Sequence, residues 1–229
     1  MKINLNKVSS TPVLGLVLAA FCAVSAIAMA YTAVKTEQPI REKKIRAVQD
    51  AFKLVLPKFD NLPSENVIKL TSSDNTDVTI YGATKNEKLV GLAITTSTNK
   101  GYSGKIEAIV SLHPDGRVRT INITKHGETP GLGSNICERS EAKTIFNVFK
   151  KPENTNKLPP NRYLDWYGDK MPTEIPWSVA KDGGEAEYMT GATVTCRAVA
   201  DIVNRATRTF QANKEKVIST LTPKIEVNK

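Results

Sequence analysis

The stretch Ile106–Lys125, IEAIVSLHPDGRVRTINITK, decides the fold class of this chain. Two runs of mainly apolar and β-branched residues, Ile106–Leu112 and Arg117–Lys125, flank the sequence His113-Pro114-Asp115-Gly116, which is typical of a turn. The pattern predicts a β-hairpin. Since such a short connection can join only antiparallel strands, we expect an antiparallel sheet.

The rest of the chain adds helices and strands around this hairpin. Val194–Phe210 predicts an amphipathic helix, because its apolar residues recur at helical spacing. They are Val194, Ala198, Val199, Ile202, Val203, Ala206 and Phe210. Further predicted elements are strands at Val78–Tyr81 and Leu89–Thr95 around an Asn86-Glu87 turn, and helices at Pro39–Leu56 and Ser140–Phe149. The proline-rich residues 152–176 predict a long ordered loop or lid, and the fold class is α+β.

An apolar segment precedes the domain. Val13–Val34 contains no charged side chain over 22 residues, and about 20 helical residues cross a bilayer core. A cleaved signal peptide is the alternative, because Lys2 and Lys7 precede the run and Ala28-Met29-Ala30 resembles a cleavage site. The length of the run favours an uncleaved anchor. Basic residues are more numerous after the segment than before it, but long domains can cross regardless of charge, so charge leaves the topology open.

Composition excludes several classes of protein. The chain has 229 residues, a net charge of +9 and only two histidines, so a histidine-rich metal site is excluded. The sequence contains no CxxC, HExxH, GxxxxGK(S/T) or GxSxG motif, which argues against zinc ribbons, Cys-ligated iron–sulfur clusters and the common hydrolase sites. We expect no nucleic-acid partner despite the positive charge, because the basic residues are scattered and no nucleic-acid module is present.

The junction before the amphipathic helix is the most informative site. The sequence Glu187–Thr195, EYMTGATVT, places Thr193 at or near the N-cap, where backbone N–H groups lack intrahelical partners. Thr193 either caps the helix or contributes to an anion site there. Gly191 and Ala192 would allow a phosphate to approach the backbone, and Arg197 would either bond it or remain a surface residue.

A second loop follows the predicted hairpin. His126–Gly133, HGETPGLG, contains three glycines and a proline, which specify a tight loop that can approach a ligand closely. Such loops usually form only turns. Cys137 and Cys196 would pair in an oxidising compartment if they lay close together, but their spacing gives no geometry.

Together these segments resemble the covalent FMN-binding domains. Thr190-Gly191-Ala192-Thr193 matches the family motif Ser/Thr-Gly-Ala-Ser/Thr, Glu128–Gly133 matches the ETPGLG loop, and Gly101–Gly104 fits the preceding part of the pattern. The resemblance extends from about Tyr81 to Arg208. With the apolar segment, the chain resembles the G subunits of Rnf-type ion-translocating electron-transport complexes. The C subunit of sodium-pumping NADH:quinone reductase is related, but it is usually longer.

The resemblance implies a site for covalent FMN, esterified through its phosphate to Thr193. The other cofactor-binding residues implied are Thr190, Gly191, Ala192, Glu128, Thr129, Gly131, Leu132, Gly133, Tyr102 and Arg197. It also implies a flavin transferase that reads an acidic residue, normally Asp, at the position occupied here by Glu187. Neither a catalytic side chain nor a metal is expected. His126 would contact flavin or remain a surface residue, and Trp166, Tyr167 and Trp177 would cover the flavin ring or pack the lid.

These inferences give a domain plan. We expect a cytoplasmic segment at 1–12, a transmembrane helix at 13–34, a helical linker at 35–70, the FMN domain at 71–213 and a polar tail at 214–229. The resemblance implies a single-pass protein of the bacterial inner membrane with its FMN domain in the periplasm. It would relay electrons among the membrane and redox subunits of an Rnf-type complex. The alternatives are the equivalent subunit of the sodium-pumping reductase and a cofactor-free anchored assembly module.

Overall fold

A computed structural model of the chain describes residues 11–139, 158–171 and 176–222. The chain divides into two units, Met1–Val48 and Gln49–Lys229. The helices are α1 (Thr11–Val55), α2 (Gly133–Cys137), α3 (Arg162–Asp165), α4 (Thr193–Ala212) and α5 (Lys214–Leu221). The strands are β1 (Val67–Thr71), β2 (Asp77–Lys85), β3 (Lys88–Gly101), β4 (Gly104–Leu112) and β5 (Val118–Lys125).

The first unit contains most of α1. Its stretch Pro12–Pro39 has a mean hydropathy of 2.5 over its most apolar part and is long enough to cross a membrane. The large apolar side chains along it, Leu14 and Phe21 among them, are exposed. A signal sequence meets the same criterion of length and composition, so the membrane anchor stays a prediction.

The second unit is built on a five-stranded antiparallel sheet in the order β1-β2-β3-β4-β5. The predicted hairpin is confirmed as β4 and β5, and the earlier strand pair as β2 and β3. Ile80, Ile94, Val110 and Ile121 face one another across four neighbouring strands, and all four are fully buried. This row forms the centre of the larger apolar core. The α+β class predicted from the sequence is confirmed.

Both faces of the sheet are covered, which explains why β4 is apolar almost throughout. α4 packs on one face, with Ile202, Val203 and Phe210 in the larger core. On the other face, Phe52 and Ile109 belong to a smaller buried cluster. Residues that alternate along β4 therefore enter two different cores, as expected for a strand buried on both sides.

A buried arginine connects α4 to the edge of the sheet. Arg205 Nε donates to Asp74 Oδ2 at 2.9 Å, and Arg205 Nη2 donates to Asp201 Oδ2 at 2.8 Å. Asp201 also accepts from Thr98 Oγ1 at 2.8 Å. Asp74 lies in the turn between β1 and β2, so this network joins a peripheral turn, the central strand β3 and the helix. The Arg205 guanidinium holds the pKa of Asp74 at about 2, below its usual range.

Several segment expectations need correction. Residues 35–70 are helical only as far as Val55, and β1 lies within that segment because it pairs with β2. The expected polar tail contains α5, which forms because Val217 and Leu221 bury against the core. Val194 is 40% exposed and lies outside the apolar face of α4. The predicted helix Ser140–Phe149 lies outside the described residues, while the predicted loop contains the short helix α3.

Removing the charge of Asp74 tests the network. The pKa of Asp74 is lower in the folded chain than in the unfolded one, so its contribution to stability is complete above about pH 4 and is lost as the pH falls towards 2. We expect Asp74→Asn to lose up to about 1 kcal/mol at pH 7, because solvent screens this half-exposed carboxylate. The variant should then lose less stability than the wild type between pH 4 and pH 2.

The measurement is urea unfolding of the full chain in detergent, followed by tryptophan fluorescence at pH 7 and pH 3. Asp77→Asn is the matched control, because it removes the same charge from an exposed position at the start of β2. Equal pH dependence in the wild type and Asp74→Asn would contradict the assignment.

Candidate flavin site

The site is built around the first turn of α4. The helix begins at Thr193, its N-cap position is Ala192, and no side chain caps that end. Gly191 adopts a φ of +93°, a conformation that suits glycine and turns the chain sharply into the helix. The position predicted for Thr193 is thus confirmed, but the alternative in which its hydroxyl caps the helix is wrong.

A cavity of about 450 Å³ opens beside this helix end. It lies between α4, the loop after β5 and the turn between β3 and β4. The cofactor-binding residues predicted from the sequence that line it are Tyr102, Glu128, Thr129, Leu132, Gly133, Gly191, Ala192, Thr193 and Arg197. Thr190 and Gly131 are next to lining residues but do not line it themselves. Segments far apart in sequence therefore meet where the resemblance implied a common site.

Glu128 is the polar centre of this arrangement. Its side chain is buried, Oε2 accepts a hydrogen bond from Thr195 Oγ1 at 2.7 Å, and Oε1 accepts one from the backbone N–H of Ser103 at 3.2 Å. The Glu128 N–H donates to His126 Nδ1 at 3.3 Å. One side chain thereby connects the loop after β5, the turn between β3 and β4, and the first turn of α4.

Two basic residues line the cavity, Lys181 in a tight loop before α4 and Arg197 on α4 itself. A 3-10 turn, Ala180–Asp182, is closed by Gly183, whose φ is +81°. Asp182 accepts two hydrogen bonds from Arg197, at 2.7 Å from Nε and 2.6 Å from Nη2, and this bond lowers the pKa of Asp182. Arg197 lines the cavity, but its positive charge is already paired with the Asp182 carboxylate. Lys181, the neighbour of Asp182, also lines the cavity.

Part of the cavity lining is apolar. Tyr102 is 71% exposed, and Leu132 and Val194 are also exposed although all three line the cavity. Ligand sites typically combine such apolar surfaces with a few placed polar groups, in volumes of about 300–1,000 Å³. The N–H groups at the start of α4 and the Lys181 ammonium suit a phosphate, and the apolar side chains suit an aromatic ring. The residues present therefore fit an FMN.

The other sequence candidates lie outside this cavity. His126 positions the Glu128 backbone, and its Nε2 lies 3.5 Å from Glu138 Oε1. Trp166, Tyr167 and Trp177 pack on one another with ring centroids 5.0 and 5.7 Å apart, so they serve as core. Cys137 and Cys196 are both free and buried, and burial raises the pKa of Cys137 to about 12. Glu187 pairs with Arg162 at 2.7 Å.

Sequence reasoning missed three lining residues. Thr195 could have been found, because it lies four residues before Val199 and so shares the buried face of α4. The helical spacing predicts Val194 on the apolar face of α4, whereas it lines the cavity. Lys181 gave no usable pattern, because its place depends on the folding of residues 178–186. There, Ala186 N donates to Ser178 O at 3.0 Å and Ala180 N donates to Ala186 O at 2.9 Å.

Comparisons with known proteins identify the family. A model of the FMN-binding domain family matches residues 101–208, which include every predicted site residue. A G subunit of an ion-translocating oxidoreductase complex from Pseudoalteromonas atlantica is 31% identical over 212 residues, 90% of each chain. The chain belongs to the family of these G subunits. A G subunit from Shewanella piezotolerans is 34% identical, covering 70% of this chain and 69% of its own. One from Vibrio cholerae is 28% identical, covering 89% and 91%.

Membership confirms the resemblance to Rnf-type G subunits. The chain is a flavin electron-transfer subunit of an ion-translocating oxidoreductase, and FMN is its cofactor. The matched domain begins at Gly101 and ends at Arg208, so it contains the turn between β3 and β4, the loop after β5 and the part of α4 that builds the cavity.

The cavity geometry predicts unequal effects for two alanine substitutions in the same loop. A Cβ at Gly133 would overlap Glu128 Oε2 and lie 2.8 Å from Thr195 Oγ1, whereas at Gly127 the nearest atom would be 3.7 Å away. We expect Gly133→Ala to cost about 1–3 kcal/mol and to lower the flavin content, and Gly127→Ala to change neither by much. Urea unfolding and flavin absorbance per chain measure both, and equal effects of the two substitutions would contradict the close packing.

Proposed function

We propose that this chain is a membrane-anchored electron relay that carries FMN on Thr193 through a phosphoester. The observation that carries the proposal is the position of Thr193. It is the first residue of α4, its side chain lines the cavity, and no side chain caps the helix end at which it lies. A hydroxyl at an open helix N-terminus lies where the free N–H groups favour a phosphate, which supports attachment at this residue.

Different residues around Thr193 would bind the phosphate and the ring of FMN. The free N–H groups in the first turn of α4 and the Lys181 ammonium favour the phosphate, while Gly191 lets it approach the backbone. Tyr102, Leu132 and Val194 offer apolar contact to the ring. Thr129 and Gly133 also line the cavity, and Thr190 and Gly131 shape the backbone next to lining residues. When bound, FMN supplies one- and two-electron chemistry, and the protein supplies position and electrostatics.

Attachment requires a second protein, a flavin transferase, for which we propose Glu187 as the recognition residue. Its carboxylate lies three residues before Thr190 and is held by Arg162, a pair that is largely solvent-exposed. Exposed pairs of this kind are weak, so Arg162 can release Glu187 to a partner at little cost. Glu replaces the usual Asp here and reaches one methylene further, while keeping the charge.

The partners proposed for the relay are the membrane and redox subunits of an Rnf-type complex. We place the apolar part of α1 in the bacterial inner membrane as a single span, with the N-terminus in the cytoplasm and the FMN domain in the periplasm. The 28-residue length of Pro12–Pro39 supports a span. A covalent link prevents the domain from losing FMN in a compartment that lacks a supply of it.

Substitution of Thr193 tests the attachment. Purified from its native host, the wild type is expected to fluoresce on a denaturing gel and to carry the FMN mass on the peptide containing Thr193. We expect Thr193→Ala to remain folded but to lose all covalent flavin, because the acceptor oxygen is gone. Thr193→Ser keeps a hydroxyl and should retain part of the label. A wild-type chain of unmodified mass, from cells with an active transferase, would contradict the covalent attachment.

Labelling of introduced cysteines tests the topology. Ser219 is exposed on α5, whereas Cys137 and Cys196 are buried, so an impermeant maleimide should find little native background in the folded domain. We expect Ser219→Cys to react in intact cells whose outer membrane admits the reagent. Ser9→Cys, in the N-terminal segment, should react only after the inner membrane is permeabilised. The reverse pattern would place the domain in the cytoplasm.

A further inference from the structure

Glu128 is a buried charged side chain whose role is not explained by holding FMN. It is only 6% exposed, although it lines the cavity. Both carboxylate oxygens act as acceptors, Oε2 from Thr195 Oγ1 at 2.7 Å and Oε1 from the Ser103 N–H at 3.2 Å. An ionised carboxylate accepts hydrogen bonds and donates none, which matches this arrangement. Carboxylates are seldom buried unless their surroundings compensate them.

The backbone is shaped to admit this carboxylate. A Cβ at Gly101 would lie 2.7 Å from Glu128 Oε1, and one at Gly133 would overlap Oε2. Real Cβ atoms do not approach so closely, so both positions require glycine while Glu128 keeps its place. The carboxylate is therefore fixed from two sides by close-packed backbone, and its position relative to the cavity is well defined.

The hydrogen-bond donors found for this carboxylate are neutral. Within residues 11–139, 158–171 and 176–222, no lysine or arginine forms an ion pair with Glu128, and the nearby Arg197 is engaged by Asp182. Hydrogen bonds to neutral groups stabilise the charge without cancelling it. The negative charge of Glu128 therefore stays in the wall of the cavity, and the burial of its carboxylate limits the screening of that charge by solvent.

We propose that Glu128 is a positioning residue that also lowers the reduction potential of the flavin held in this cavity. This inference rests on the proposed FMN site. Reduction adds electrons to the flavin, so a fixed negative charge in the wall makes reduction less favourable. Through Thr195, two residues after Thr193, the same carboxylate holds the first turn of α4 against the glycine loops.

The test is a spectroelectrochemical titration of the full chain in detergent, with covalent FMN first confirmed by mass on the Thr193 peptide. Glu128→Gln keeps the size of the side chain but removes its charge, so the midpoint potential is expected to shift upward. Glu107→Gln is the matched control, because it removes a carboxylate from β4 that does not line the cavity. Its potential is expected to equal that of the wild type.

Thr195 provides a second, opposite test. Thr195→Val removes a donor and leaves the charge, so the midpoint potential is expected to shift downward, while Thr195→Ser keeps the hydroxyl and stays at the wild-type value. A merely structural role would not move the Glu128 and Thr195 variants in opposite directions. If Glu128→Gln carries no flavin, the midpoint potentials of Thr195→Val and Thr195→Ser test the proposal by themselves.

Different outcomes overturn different proposals. A fully loaded Glu128→Gln with the wild-type potential, or a loaded Thr195→Val with that potential, overturns the role of Glu128 and leaves the flavin site intact. A wild-type chain without FMN on Thr193 instead contradicts the proposed function, whatever the variants do.

Discussion

The hydrogen bonds of the Glu128 carboxylate connect the parts of the site that the sequence keeps furthest apart. Thr195 belongs to α4 and Ser103 to the turn between β3 and β4, and neither would meet the loop after β5 through local structure. Gly101 and Gly133 leave room for the carboxylate, because a Cβ at either position would come too close to it. The two glycines and the buried charge therefore depend on each other. The loop after β5, the turn between β3 and β4 and the first turn of α4 meet at the Glu128 side chain, and the cavity lies between them.

α4 serves both the core and the site. Its middle and end bury Ile202, Val203 and Phe210 against the sheet, and Arg205 bonds to Asp74 in the turn between β1 and β2. Its first turn is left open to the cavity, with Ala192 rather than a polar side chain at the N-cap position. Rigid anchoring along the helix therefore allows its N-terminus to remain without a cap, at the cost of a helix end that lacks the stability a cap would add.

The parts of the fold that could be predicted from the sequence are those with a local pattern. The hairpin of β4 and β5 has two runs of apolar and β-branched residues around a clear turn, and α4 repeats its apolar residues every three to four positions. β1 has only five residues with partly exposed alternate positions, and it becomes a strand through pairing with β2, which no local pattern reveals. α5 likewise depends on burying Val217 and Leu221 against an existing core.

The same distinction applies to the site. Thr193 and the Glu128 loop could be predicted, because motif and local geometry coincide there. Lys181 could not, since it reaches the cavity only through the fold of a loop in which Gly184 packs against the Ser178 carbonyl. The sequence also does not reveal which partner a charged side chain takes. It offers Arg197 to a phosphate, but the Arg197 guanidinium donates both its hydrogen bonds to Asp182, fifteen residues earlier.

The exposed lining of the cavity gives a physical reason for the proposed covalent attachment of FMN. Tyr102, Leu132 and Val194 line it and remain exposed, so a ring bound there would keep contact with solvent and would bury less apolar area than in a closed pocket. Closing the cavity would strengthen binding, but it would also move the flavin further from any redox partner. The proposed ester to Thr193 would meet both requirements, because retention would then depend on a covalent bond and the ring could stay accessible for electron transfer.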